Sequence, residues 1–156
     1  MNKLPIVILI FLFISCANDK NTIELFSPEY ETVTFEVVEK HLAVESTLPD
    51  NFKKSMTNWF NNQIKTNGFE GDLKFTISNF KQEVSSIEDG KKVDISLSFN
   101  ILINKPSLSQ TISIEGNASS YGMLTGNFSL IEFDKIIQNT QNDVILRMSR
   151  ELKSKI

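Results

Sequence analysis

From Thr32 onward the polarity of the chain alternates. Val33, Phe35 and Val37 fall on one side of an extended segment and Thr34, Glu36 and Val38 on the other, the period of a strand with one apolar face. The period then changes. Leu48, Phe52, Met56, Phe60 and Ile64 recur every four residues, with Trp59 alongside, which predicts a helix with one apolar stripe. Pro49 suits the first helical position, Asp50 suits the positive end of the macrodipole, and Asn67-Gly68 predicts the helix end. Alternation resumes at Leu73, Phe75 and Ile77, then slips in parity to Phe80, Gln82 and Val84, the mark of a bulge near Ser78-Asn79. Asp89-Gly90 predicts a hairpin turn. Beyond it Val93, Ile95, Leu97, Phe99, Ile101 and Ile103 share one side, against Lys92, Asp94, Ser96, Ser98 and Asn100 on the other. Lys105-Pro106-Ser107 turns the chain into a last strand with Leu108, Ile112 and Ile114 opposite Thr111, Ser113 and Glu115.

A second helix closes the chain. Ser129 and Glu132 have the spacing of a capping box, and Phe128 and Phe133 flank it at the staple positions. Leu130, Phe133, Ile137, Val144, Met148 and Leu152 predict its buried stripe. Arg147, Arg150, Lys153 and Lys155 gather near the carboxyl end, where the dipole favours cations. A solvated helix terminus explains that cluster more simply than contact with anionic lipid. The element order is therefore β-α-β-β-β-α. One-sided strands and one-striped helices pack consistently in one way, as an α+β two-layer sandwich. Its four-stranded, mostly antiparallel sheet carries both helices on the apolar face and leaves the other face, rich in Ser, Thr and Asn, open to water.

The amino terminus has a different pattern. Lys3 precedes an apolar run from Leu4 to Ile14 and then Ser15-Cys16. Crossing a bilayer as a helix takes about 20 apolar residues, so this run is too short to span. A charged start, a short apolar core and a small residue before a cut are the parts of a secretory signal. Phe13-Ile14-Ser15-Cys16 resembles the lipobox of bacterial lipoproteins, in which the chain is cut before the cysteine and lipidated on it. Cys16 is also the only cysteine of the chain, so no disulfide framework exists. The resemblance implies cleavage between Ser15 and Cys16 and a lipid anchor on Cys16, with several acyl chains holding far better than one. Ala17 is not the aspartate that such proteins use for inner-membrane retention, which implies the outer membrane, facing the periplasm. Residues 1–15 are then the signal, 16–29 a polar, flexible tether with Pro28 near its end, and 30–156 one domain.

Composition adds exclusions. Loss of Lys3 with the signal leaves the mature chain one unit more negative than the −3 of the whole, with no basic face for nucleic acid. Candidate chemistry is sparse. His41, beside Leu42, is the only histidine, and a single histidine builds neither a metal cluster nor a triad. No zinc-ligand spacing or phosphate loop occurs, and the Gly68 and Gly71 turn follows a helix instead of leading one. Glu83, Glu88 and Asp89 fit a solvated strand end and turn, and Asn117-Ala118-Ser119 matches a glycosylation acceptor by chance. The expectation is a protein without catalytic, metal-binding or cofactor-binding residues. Three roles remain; the first two are docking on an envelope protein partner and holding an amphiphile between helices and sheet, where Phe52, Trp59, Phe60, Phe75 and Phe99 would line a pocket. A passive envelope lipoprotein is the third.

The lipobox, the stretch LPDNFKKSMTNWFNNQIKTNGFEG and the closing FDKIIQNTQNDVILRMSREL resemble a group of small outer-membrane lipoproteins. The group includes the lipoprotein partner of the lipopolysaccharide-assembly barrel and the auxiliary lipoproteins of ABC-type lipid-transport systems. The resemblance covers the mature chain in element order. It implies a non-catalytic accessory of an envelope transport or assembly system, with no active-site residues to carry over.

Overall fold

The computed structural model describes residues 23–156; Ser15 and Cys16, with the expected signal and cleavage site, lie outside them. The expected two-layer α+β architecture is observed, with two additions. Strands β1 (Val33–Phe35), β2 (Glu39–Val44), β3 (Ile64–Thr66), β4 (Asp72–Ile87), β5 (Gly90–Lys105) and β6 (Gln110–Thr125) are joined by helices α1 (Asp50–Gln63) and α2 (Leu130–Ser154). The main sheet has the order β2-β4-β5-β6, and β1 pairs with β3 in a separate two-stranded sheet. The β2–β4 pair is parallel, and the other two pairs of the main sheet are antiparallel.

The first alternating segment does not form one strand. It breaks after Phe35 and resumes at Glu39, so Val33 and Phe35 join the small sheet while Leu42 and Val44 join the large one. The first helix also ends early. Ile64 at its C-cap is extended and leads straight into β3, because Ile64 finds Val33 as a strand partner. Asn67-Gly68 therefore does not stop the helix; the Gly68 N–H donates to Val37 O at 3.1 Å. Pro49 occupies the N-cap with ψ 141°, one position before the site expected for it. With no basic residue in its own last turn, α1 takes its cation from β2: Lys40 Nζ donates to Phe60 O and Asn61 O at 3.2 Å, and to Ile64 O. A cation there complements the negative end of the dipole.

The bulge and hairpin stand where the sequence places them. Asn79 adopts φ 53°, the β4–β5 register shifts between Ser78 and Lys81, and Ile87 pairs with Gly90 across the turn. The six alternate apolar residues of β5 are all buried between sheet and helices. Over them lie Phe52, Met56, Trp59 and Phe60 of α1 and Val144, Ile145, Met148 and Leu152 of α2.

The last strand is much longer than its apolar residues suggest, running on to Thr125. Gly116, Ala118, Ser120 and Gly122 of β6 pair with Phe99, Leu97, Ile95 and Val93, so they continue the apolar face with almost no side chain. They are small because α2 lies on them. A Cβ at Gly116 would come within 2.5 Å of the Phe99 ring, and one at Gly122 would strike Thr140 Oγ1 and stand 3.0 Å from Ile136 Cγ2.

Candidate interaction surface

Both faces of the sheet are ordered, by different means. On the covered face, two polar clusters tie α2 down. Gln141 Nε2 donates to Gln82 Oε1 at 3.1 Å, and Asn51 Nδ2 donates to Gln141 Oε1 at 3.4 Å, joining β4, α1 and α2. Ser120 Oγ donates to Asp143 Oδ2 at 2.6 Å, and Arg147 Nε donates to the same oxygen at 2.7 Å. Burial pushes the Asp143 carboxyl up, but the Ser120 and Arg147 hydrogen bonds and the charges of Arg147 and Arg150 outweigh it, so it lies below the usual aspartate value.

The open face carries a ladder of hydrogen-bonded polar side chains. Asn79 Nδ2 donates to Ser98 Oγ at 3.4 Å, and Ser98 Oγ donates to Asn117 Oδ1 at 2.7 Å. Asn100 Nδ2 donates to Ser113 Oγ at 3.1 Å and Glu115 Oε1 at 2.8 Å. Towards the hairpin, Lys92 pairs with Asp94 at 2.6 Å and lies 5.4 Å over the Tyr121 ring. The bulge at Asn79 leaves an open hollow of about 520 Å³ beside Ser98, Asn100 and Asn117. These groups are held in place by one another. The ladder ends at β6, whose outer edge no strand covers among the described residues. Between Gln110 and Thr125 that edge carries one charged residue, Glu115, and no proline.

The residues singled out in the sequence fall as follows. His41 is exposed on β2, the other edge strand, with Nε2 3.4 Å from the Glu39 carboxylate. Of the basic cluster, Arg147 pairs with Asp143, Lys155 with Glu151 at 3.2 Å, and Lys153 with Glu31. Phe52, Trp59, Phe60, Phe75 and Phe99 come together in the core. Phe75 meets Trp59, Phe60 and Phe99 at ring separations of 5.5, 5.9 and 5.8 Å, and Phe52 meets Phe80 at 5.0 Å. The rings pack on one another. Asn117 and Ser119 sit on the open face of β6. The capping box is complete, with Ser129 N–H donating to Glu132 Oε2 at 2.7 Å and Glu132 N–H to Ser129 Oγ at 3.2 Å. The buried stripe of α2 begins later than expected, however, since Leu130 is 83% exposed.

One element had no signal in the hydrophobic pattern. Part of the segment expected as a tether lies across α2. Asn139 accepts from Phe26 N–H at 2.6 Å and donates to Glu24 O at 2.8 Å, and Asn142 Nδ2 donates to Phe26 O at 2.7 Å. Further along, Ser27, Pro28 and Tyr30 share an open cavity with Trp59 of α1 and Asn142. Burial pushes the Tyr30 phenol up to about 12. The segment is a strap, and its pins are two asparagines on the outer side of a helix, which read in sequence as ordinary solvated positions.

No protein-family model matches the sequence, and no curated protein resembles it in sequence. Solved structures do resemble it in fold. A minor lipoprotein from Acinetobacter baumannii superposes with a TM-score of 0.52 at 8% identity, over 76% of this chain and 93% of that one. Rare lipoprotein B from Shewanella oneidensis aligns at a TM-score of 0.44 and 10% identity, over 75% of this chain and 92% of that one. An uncharacterized lipoprotein B from Nitrosomonas europaea aligns at 0.44 and 10%, over 83% and 90%. The Acinetobacter structure has the same overall fold as this chain, and at that identity the likeness is one of fold.

Proposed function

We propose that the protein is a lipid-anchored, non-catalytic component of a bacterial envelope, held at the outer membrane through Cys16 and facing the periplasm. There it docks on a protein of an envelope lipid-transport or outer-membrane assembly system. The observation that carries the docking is β6: sixteen residues long, unpaired along its outer edge among the described residues, and continuous with a prearranged polar face. Edge strands that stay unpaired are normally blunted by charge, proline or brevity, and β6 has almost none of these. Strand addition by a partner would satisfy its backbone groups and let the Asn and Ser ladder select the partner's side chains. Anchorage is supported by the Ser15-Cys16 pattern and by a fold shared with a minor lipoprotein. The aromatic residues that an amphiphile would need as a lining are occupied with one another, which favours docking over ligand carriage.

A photoreactive residue placed at Ser113, Asn117 or Ser119 of the full chain tests this. In intact cells of a two-membrane bacterium, β6 probes should give a discrete adduct with one outer-membrane protein, and a probe at exposed His41 on β2 should not. Adducts absent from all three β6 positions, with the protein at its normal level, would remove the reading.

A further inference from the structure

Helix α2 lies along the last strand of the main sheet, not over its middle. A Cβ at Gly122 would stand 2.4 Å from Thr140 Oγ1, and one at Gly116 would stand 3.1 Å from Glu151 Cγ, so both ends of the contact fall on β6 itself. A helix with its side chains is about 10–12 Å wide, while neighbouring strands stand only about 4.8 Å apart. The outer flank of α2 therefore projects past the edge of β6, which is unpaired among the described residues. It roofs the place where a further strand would lie.

An open cavity of about 300 Å³ occupies part of that place. The consecutive residues Ser120, Tyr121 and Gly122 all border it, although successive side chains of a strand point to opposite faces. The cavity therefore follows the edge of the strand instead of lying over one face. Phe26 and Ile136 are its apolar walls. Its polar groups are already paired inside the molecule: Ser120 Oγ donates to Asp143, Thr140 Oγ1 donates to Ile136 O at 2.7 Å, and the Asn139 amide is taken up by the strap. Asp143 is also paired with Arg147. Such a space suits an apolar side chain, because a polar one would lose water without gaining a partner. Further along the same flank the chemistry changes. Arg150 lies two helical turns beyond Asp143 on the same side of α2, close enough for its charge to act on that carboxyl. It is exposed and has no ion-pair partner among the described residues.

We propose that this slot takes a single extended segment of the envelope partner, with an apolar side chain in the cavity and a carboxylate on the same side of the strand against Arg150. The two partner side chains are about four residues apart: Arg150 stands about 15 Å beyond Thr140 along the helix, and four strand residues span about 14 Å. The alternate side chains of the segment stand on the open face, beside the Asn and Ser ladder. This inference rests on the docking reading above and names the chemistry that docks. A second copy of the chain does not fit the slot. Antiparallel pairing of two β6 strands about a twofold axis normal to the sheet would place two α2 helices over strands about 4.8 Å apart, whereas packed helices need about 8–10 Å.

The test uses the full-length protein in intact cells of a two-membrane bacterium, with p-benzoylphenylalanine in place of either Phe26, on the covered side, or Ser119, on the open side. Irradiation should join both to the same protein. The two attachment sites, mapped by mass spectrometry of the cross-linked peptides, should lie in one segment an odd number of residues apart, since neighbouring side chains of a strand point opposite ways. With the probe at Ser119, Phe26→Asp and Arg150→Glu should each lower the adduct yield about fivefold or more, the first by setting a charge against an apolar side chain and the second by opposing like charges. Leu25→Asp and Lys53→Glu make the same charge changes at other exposed positions and should leave the yield within about twofold. The strap bonds at residue 26 are made by its backbone, so Phe26→Asp keeps them, and an unchanged cellular level confirms that each variant is folded. A Ser119 adduct without a Phe26 adduct, or a yield indifferent to either Phe26→Asp or Arg150→Glu, would overturn the inference and leave docking at β6 standing. An adduct of twice the protein's own mass would overturn it in favour of a second copy. No adduct from Ser119 or the other β6 positions would bring down the docking reading and this inference with it.

Discussion

At the scale of single residues, the packing of α2 on β6 depends on the absence of side chains. Gly116→Val would drive a branched side chain into the Phe99 ring and the Glu151 stem, since a Cβ alone at that position would stand 2.5 Å from the one and 3.1 Å from the other. Overpacking of this kind costs about 1–3 kcal/mol, so the urea midpoint of Gly116→Val should fall markedly, whereas Ser119→Val on the open face should leave it nearly unchanged. Equal midpoints for the two would mean that α2 does not lie on β6 as closely as drawn. Asp143 supports the same contact electrostatically. Its folded value is depressed, so its contribution is fully present above the unfolded value of about 3.9 and is lost as pH falls through the folded one. Asp143→Asn should therefore lower stability at neutral pH and narrow the gap to wild type as denaturation is repeated in increasingly acid buffer. These residues explain what the sequence conceals about β6. Pattern reading follows hydrophobic side chains, and a stripe of Gly, Ala, Ser and Gly has none, so the strand appears to end near Glu115. The signal was present as a period of two in residue size, from Gly116 to Gly122, and only a helix lying on it gives that pattern meaning.

At the scale of elements, the apolar faces of β4 and β5 were legible to the residue, whereas the break after Phe35 and the strand and helix termini were not. The bulge at Asn79 could be placed because Phe80, Gln82 and Val84 change parity, and a parity change has one cheap structural solution. The helix ends were settled by partners far away in sequence. Ile64 leaves α1 to pair with Val33, and no local residue announces that. In α2 the stripe was read in the right phase but extended one turn too far. Gly122 lies under Ile136 and Thr140, and Leu130 stands six residues earlier, about 9 Å along the helix, level with the last residues of the sheet. There is little beneath it to bury against. Two substitutions separate the cases: Leu152→Ala, in the core, should cost about 2–5 kcal/mol, while Leu130→Ala should stay within about 0.5 kcal/mol. Chemical denaturation measures both, and a large effect at Leu130 would show that the helix start is covered in the intact domain. The capping box, by contrast, is local in sequence and was legible in full, and Ser129→Ala should cost about 1 kcal/mol.

At the scale of the whole molecule, the strap joins the amino-terminal side of the described chain to the packed domain, and its state can be read from a single phenol. Asn139 and Asn142 make three hydrogen bonds to the backbone of Glu24 and Phe26. At a net contribution of about 0.5–1.5 kcal/mol each, they hold the strap closed by a few kcal/mol at most. Tyr30 lies just beyond them, with its phenol pushed up to about 12 by burial. A raised folded value means that the neutral phenol stabilises the closed form fully below the unfolded value of about 10, and that this contribution is lost as pH rises from about 10 through 12. The chain has two tyrosines, so Tyr121→Phe leaves Tyr30 as the only one, and ultraviolet absorbance then follows Tyr30 alone. In that background, Asn139→Ala with Asn142→Ala should bring the titration down from about 12 towards 10, because an opened strap returns the phenol to water. The main unfolding transition at neutral pH should move little, since both asparagines lie on the outer side of α2, away from the core. A titration that stays near 12 would show that Tyr30 is held by its own packing near Trp59, and the strap would then be anchored from the β1 side instead of from α2. A titration that drops would place the weak point of the strap at α2, at the three hydrogen bonds that Asn139 and Asn142 make to it.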